Sequence, residues 1–222
     1  MPNATDEVLL AFAPGLAKPQ IVEVKIKLAT DGEYELGLEN VDPLIFIASG
    51  HTIEQIRDGL ADPIVSPDYD PYTAKKQITD RFRVKGAPGD PFDFALTSPG
   101  GVPNATAIKV QSASGASTAT RLRMLEVAAM LIWDTVVWKN KIQVAQAYLA
   151  AFLSMNSVYA DQAMKSLGLG GSASSLSLGP ASVSLSGGIL QSMAPGLAGD
   201  AAYGAPFMLL MQSATFGPIW SR

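Results

Sequence analysis

Few residues in this 222-residue chain have the chemistry to catalyse or ligate. His51 is the sole histidine and there is no cysteine, so no histidine pair or thiolate cluster can build a zinc-type site, and no disulfide or cysteine nucleophile exists. A Ser-His-Asp arrangement would have to recruit His51, yet the serine-rich stretches lack the Gly-x-Ser-x-Gly elbow that presents a nucleophile. Asp68 and Asp70, with Asp58 and Asp62 nearby, offer oxygens for a calcium ion, or with His51 the acids of a glycan or cell-wall hydrolase. The Asp-x-Asp-x-Asp-Gly loop and its distal glutamate are missing, so loop solvation is the preferred reading. Gly168, Gly170 and Gly171 are not followed by the Lys-Ser/Thr pair of a phosphate loop. The expectation is a non-enzyme with no catalytic, cofactor or metal residues.

Charge narrows the partners. A net charge of -4 and a pI near 5.0 disfavour general nucleic-acid binding. Lys75, Lys76, Arg81, Arg83 and Lys85 form a local basic stretch that suits DNA or an acidic partner, with a solvated strand face as the simpler reading. Charged residues make up 16% of the chain, below the roughly 25% of ordinary domains, which leaves a weakly charged surface that suits subunit contact or, equally, a merely low-charge monomer. The first residues are acidic and their apolar run stops at Pro14, so no export signal is expected. Met124 to Trp138 is broken by Glu126 and Asp134 and is too short for a bilayer span, so no membrane partner is expected.

The elements that would position these residues are α+β. Residues 1–20 read as an N-terminal arm or short helix ended by Pro14-Gly15. Ile21 to Leu28 and Tyr34 to Leu38 alternate about Asp31-Gly32 as a hairpin. Thr52 and Gln55 form a capping box, opening a helix with Ile53, Ile56 and Leu60 on one face and Glu54, Arg57 and Asp58 on the other. The Pro/Asp-rich stretch from Pro63 to Pro71 reads as a loop. Ile78, Phe82 and Val84, then Phe92, Phe94 and Leu96, read as a second hairpin across the Gly86–Pro91 turn cluster, and Ile108 and Val110 as a last strand. Residues 21–117 are therefore an α+β accessory module of antiparallel strands with one short helix.

Residues 118–165 read as a small helical core of two packed helices. The first carries Leu122, Leu125, Ala129 and Ile132 on one stripe. After a break between Asp134 and Asn140, the second, about 141–156, points Ile142, Ala145, Leu149, Phe152 and Leu153 inward, with Trp133 and Trp138 near the junction. Residues 166–222 read as a long Gly/Ser-rich hairpin, with Val183 and Leu185 alternating against serines, and a C-terminal arm with two helical turns within Ala205–Met211. Such a segment cannot bury its own apolar residues, so Val183, Leu185, Tyr203, Phe207, Leu210 and Trp220 are candidate protein-interface residues.

The second half carries a resemblance. Asp134-Thr135-Val136-Val137-Trp138-Lys139-Asn140-Lys141, then Ala145-Gln146-Ala147-Tyr148-Leu149-Ala150-Ala151-Phe152-Leu153-Ser154, resembles the core of tailed-bacteriophage head-to-tail connector (adaptor) proteins. There a Trp-containing loop leads into an A-x-x-Y/L-L-A-A-H-x-L helix, and Phe152 replaces the histidine often found. The similarity continues through the Gly-rich loop, Gly179-Pro180-Ala181-Ser182-Val183-Ser184, and the segment Tyr203, Gly204, Phe207, Leu210 before Gly217-Pro218. Phe12-Ala13-Pro14-Gly15-Leu16-Ala17 is similar to the start of that core, which implies that the module, with its Pro91-Phe92-Asp93-Phe94 pattern, is an insertion.

The resemblance implies a virion structural protein of the neck, made in the host cytoplasm. It implies a homo-oligomeric, twelvefold ring between portal protein and tail terminator or neck proteins, with genomic DNA passing through the lumen unread. A capsid decoration or tail accessory protein is the alternative, and a hydrolase the more distant one.

Overall fold

A computed structural model describes residues 4–99, 104–132, 138–169 and 182–215. The chain is α+β with antiparallel sheets. It divides into a helical unit, Met1–Leu16 with Ala116–Arg222, and a β-rich unit, Ala17–Gly115, each around its own apolar core. The chain leaves the helical unit at Leu16 and returns at Ala116, whose N–H donates to the Leu16 carbonyl at 3.0 Å. Residues 17–20, expected in an N-terminal arm, are strand residues. Ala17 and Lys18 pair with Gly115 and Ser114, and the Lys18 carbonyl accepts from Gly89 N–H, so their backbone groups are satisfied in the β-rich unit.

That unit holds β1 (Ala17–Ile26), β2 (Gly32–Leu38), β3 (Leu44–Ala48), β4 (Thr73–Lys76), β5 (Arg81–Pro88), β6 (Phe94–Thr97), β7 (Ala105–Gln111) and β8 (Ser114–Gly115). One sheet runs β4-β5-β1-β7, with β8 also on β1; the other runs β3-β2-β6. Neither expected hairpin forms. β1 and β2 belong to different sheets, as do β5 and β6, and the tight antiparallel pairs are β2 with β3 and β4 with β5.

The alternation did identify inward residues. Val22, Val24 and Ile26 of one sheet and Tyr34, Leu36 and Leu38 of the other are buried in one core. Two facing sheets bury both sets, whereas a single hairpin would leave that face wet. The Tyr34 hydroxyl donates to the Leu28 carbonyl and accepts from Thr30 N–H, both at 3.2 Å, which holds the crossing between sheets.

Helix α2 (Ile53–Ala61) starts with the capping box: Thr52 Oγ1 accepts from Gln55 N–H at 3.3 Å and Gln55 Oε1 from Thr52 N–H at 2.8 Å. It packs against β3 of one sheet and β1, β4 and β5 of the other. Gly59 is required there, because a Cβ would lie 2.2 Å from the Phe46 ring. Arg57, expected on the wet face, is buried: it donates to the Ile78 carbonyl at 2.9 Å and pairs with Asp58 and Glu54. The expected loop after Pro63 contains two short 3-10 turns, Asp62–Val65 and Pro67–Tyr69, and then the unforeseen strand β4. Ile78, expected in β5, is exposed in the β4–β5 turn.

The helical unit contains α1 (Asp6–Phe12), α3 (Thr118–Leu131), α4 (Ile142–Met155), α5 (Ser157–Ser166), α6 (Ser182–Gly199) and α7 (Gly204–Thr215). The α4 register is as read: Ile142, Ala145, Leu149, Phe152 and Leu153 are all buried. The α3 stripe is rotated. Met124, Leu125, Val127, Ala128 and Leu131 face inward and Leu122 is 48% exposed, because Arg121 takes the inward position to meet Asp6.

The strand expected at Val183 and Leu185 is part of α6. Its continuation places Leu190, Met193 and Leu197 at helical spacing on the core, and tertiary burial outweighs the local Ser/apolar alternation. The C-terminal region is thus no extended arm over its described part, since Met193, Leu197 and Phe207 are fully buried beside Leu149 and Phe152. No helix among the described residues is long and apolar enough to cross a membrane.

Candidate interaction surfaces

The chemically capable residues have structural partners. His51 Nδ1 accepts from Ser49 N–H at 2.8 Å, and its ring meets Phe46 edge-on at 5.2 Å. Asp68 Oδ2 accepts from the Ser66 hydroxyl at 3.0 Å, while Ser66 Oγ caps the 3-10 turn at Asp68 N–H. Asp58 and Asp62 both hold Lys76, at 3.1 and 2.7 Å. Asp70 lines a shallow cavity with Glu39, Tyr72, Asp90 and Phe92, where the Tyr72 hydroxyl donates to the Glu39 carbonyl at 2.8 Å. Among the described residues no three acidic or histidine side chains gather as a metal site.

The candidate interface residues of the C-terminal region separate into distinct groups. Phe207 is a core residue rather than a surface contact: it is fully buried and stacks on Trp138, with centroids 6.0 Å apart and planes at 21°. Tyr203 and Leu210 are half-buried against the same core. Burial, with Asp200 beside it, raises the Tyr203 phenol above its ordinary pKa. Val183 and Leu185 fall in the first turn of α6, with side chains outside the described residues, and Trp220 lies outside them altogether. Gly204, the glycine of the Tyr-Gly-x-x-Phe segment, has a steric reason: a Cβ there would sit 2.3 Å from the Leu197 carbonyl oxygen. Asp200 Oδ1 accepts from Ala202 and Tyr203 N–H and fixes this tight α6–α7 turn.

Apolar groups that do reach the surface of the helical unit are Val158 (75% exposed), Leu209 (67%) and Met155 (55%), with Leu122 and Phe12 less so. Two polar residues that sequence reasoning passed over hold this unit together. Gln146, inside the Ala-rich helix, accepts from Ala4 N–H at 3.1 Å and donates to the Ile132 carbonyl at 2.8 Å. Arg121 pairs with Asp6 at 2.7 Å. The available signal was a polar residue standing where the helical period calls for an apolar one.

Strand register sorts the charges of the β-rich unit. Lys75, Arg83, Glu23 and Ile108 lie in one row across β4, β5, β1 and β7, and Arg81, Lys25 and Thr106 lie in the next across β5, β1 and β7. With Lys85, the outer face of this sheet carries five cations. Glu23, largely buried beneath them, accepts from Arg83 at 3.0 Å and Arg81 at 3.4 Å, and Asp80 holds Lys25 at 3.3 Å. The outer face of the other sheet is built from Glu33 and Glu35, paired with Ile47 and Ile45, and from Ala95 and Thr97. Glu39 and Asp93 extend it, Asp93 N–H donating to Glu39 Oε2. None of β2, β3 or β6 contains a lysine or arginine.

No protein-family model matches the chain, and no curated protein matches it.

Proposed function

We propose that the chain is a structural protein of a tailed-phage virion, a head-to-tail adaptor whose helical unit joins a ring between portal and tail, with no catalytic step of its own. The observation that carries this reading is the Trp138–Phe207 stack. It joins two segments that each resemble connector proteins, the Trp-bearing lead into α4 and the Tyr-Gly-x-x-Phe start of α7. These segments are about seventy residues apart in sequence, and α7 packs along α4 in the same core. Exposed Val158, Met155 and Leu209 supply apolar contact points for neighbouring subunits or the portal. A closed ring satisfies such heterologous contacts without open-ended growth.

The test is imaging of the purified chain with and without the portal of its own phage. Rings capping the portal are the expected result. Portals left bare over a range of protein concentrations would overturn the adaptor reading. Capsid or tail binding that vanishes on deleting residues 17–115, with portal binding absent throughout, would favour a decoration or tail accessory protein instead.

A further inference from the structure

We infer that the β-rich unit associates with a second copy of this chain, the basic outer face of its five-stranded sheet docking on the acidic outer face of the three-stranded sheet of the next copy. This goes beyond the adaptor reading and does not depend on it. Both sheets turn their inner faces to one core, so both outer faces look away from it. One face carries Lys25, Lys75, Arg81, Arg83 and Lys85 against Glu23 and Asp80. The other carries Glu33, Glu35, Glu39 and Asp93, with no lysine or arginine in its three strands.

Each face also holds a pair of exposed aliphatic residues. Ile108 and Val110 lie on or beside the basic face at 55% and 43% exposure, and Ile45 and Ile47 lie on the acidic face at 54% and 69%. A cross-strand glutamate flanks each of these last two isoleucines. Exposed apolar residues on a face that carries charge, of opposite sign on the two faces, have the composition of a protein interface, in which charge sets register and partner choice.

Like faces repel, so a symmetric basic-to-basic or acidic-to-acidic dimer is disfavoured. Complementarity therefore selects the head-to-tail arrangement, in which each copy offers its basic face to one neighbour and its acidic face to another. The ion pairs already inside the basic face leave Glu23 sequestered, so the cation excess is what an incoming partner meets. In a protein of net charge -4 that excess is a local feature rather than a consequence of composition.

The test uses the full chain and two charge-reversed variants, Glu33→Lys with Glu35→Lys, and Lys75→Glu with Lys85→Glu, which spares the Arg83–Glu23 pair, in sedimentation velocity at low and high salt. The wild-type protein is expected to self-associate with rising concentration at low salt and to lose most of that association at high salt. Each variant alone is expected to stay monomeric while keeping its circular dichroism spectrum, and an equal mixture of the two is expected to associate again. Variants that associate like the wild type would overturn the inference. So would a wild-type chain that stays monomeric at low salt, and duplex DNA captured by that monomer in a Lys75- and Lys85-dependent way would assign the basic face to nucleic acid. Portal binding is scored on the same samples. Its loss with association intact counts against the adaptor reading alone, and its survival with association absent counts against the pairing of the sheets alone.

Discussion

Arg121 and Asp6, 115 residues apart in the chain, form a two-point ion pair in the helical unit, Nε to Oδ1 at 2.7 Å and Nη2 to Oδ2 at 2.8 Å. Arg121 Nη1 also donates to the Ala116 carbonyl at 2.6 Å, at the point where the chain returns from the β-rich unit. One guanidinium thus binds α1, the start of α3 and the junction. Because its side chain is 1% exposed, the charge depends on these partners.

Removing Asp6 strands that charge, so Asp6→Ala is expected to lower the stability of the helical unit by about 3–5 kcal/mol. Arg121→Met, which removes the charge and keeps much of the volume, is expected to cost less. Urea unfolding followed by far-UV circular dichroism measures both, and equal losses would contradict the charge argument.

The α6–α7 turn depends on a missing side chain. Gly204→Ala drives a Cβ into the Leu197 backbone, which cannot swing aside, and is expected to cost about 1–3 kcal/mol as an overpacking change. Phe207→Ala opens a cavity against Trp138 and is expected to cost about 3–5 kcal/mol. Thermal melts test both, and a Phe207→Ala protein as stable as wild type would place that residue at the surface after all.

Exposed apolar residues should behave in the opposite way. Val158→Asp and Leu209→Asp are expected to change stability by no more than about 0.5 kcal/mol. Under the adaptor reading they weaken portal capping, which a pull-down with the portal measures. Unchanged capping by both variants would exclude these two positions from the contact.

Acid should loosen the β-rich unit. At Asp58 burial raises the carboxyl pKa, but hydrogen bonds and charge from Arg57 and Lys76 outweigh it and hold the group below its ordinary value. Asp80 follows the same pattern with Arg81 and Lys25. A carboxylate with a depressed folded-state pKa contributes stability that is present above the unfolded value, about 3.9, and is lost as pH falls through the folded value. Urea midpoints are therefore expected to fall with pH below about 4, and Asp58→Asn with Asp80→Asn to flatten that dependence. An unchanged slope in the double variant would remove these two groups as its source.

Much of the local order was legible. The Thr52–Gln55 box, the inward residues of β1 and β2 and the whole apolar face of α4 follow from side-chain period and capping chemistry, which act over a few residues. The Tyr203-Gly204 pair marked a real turn, but its spacing to Phe207, a candidate interface residue, could not show that Phe207 points into the core.

Sequence alone determined that the chain is α+β, that it has one histidine and no cysteine, and that a β-rich stretch precedes a helical one. Tertiary structure decided which strands pair, that Arg121 displaces Leu122 from the inward stripe, and that Val183 and Leu185 fall in a helix. It also brought Lys25 beside the basic stretch of Lys75, Arg81, Arg83 and Lys85 on one sheet face and put glutamates on the other. The reason is range: hairpins, strands and amphipathic stripes are each locally satisfactory alternatives, and contacts between residues as distant as Asp6 and Arg121 choose among them.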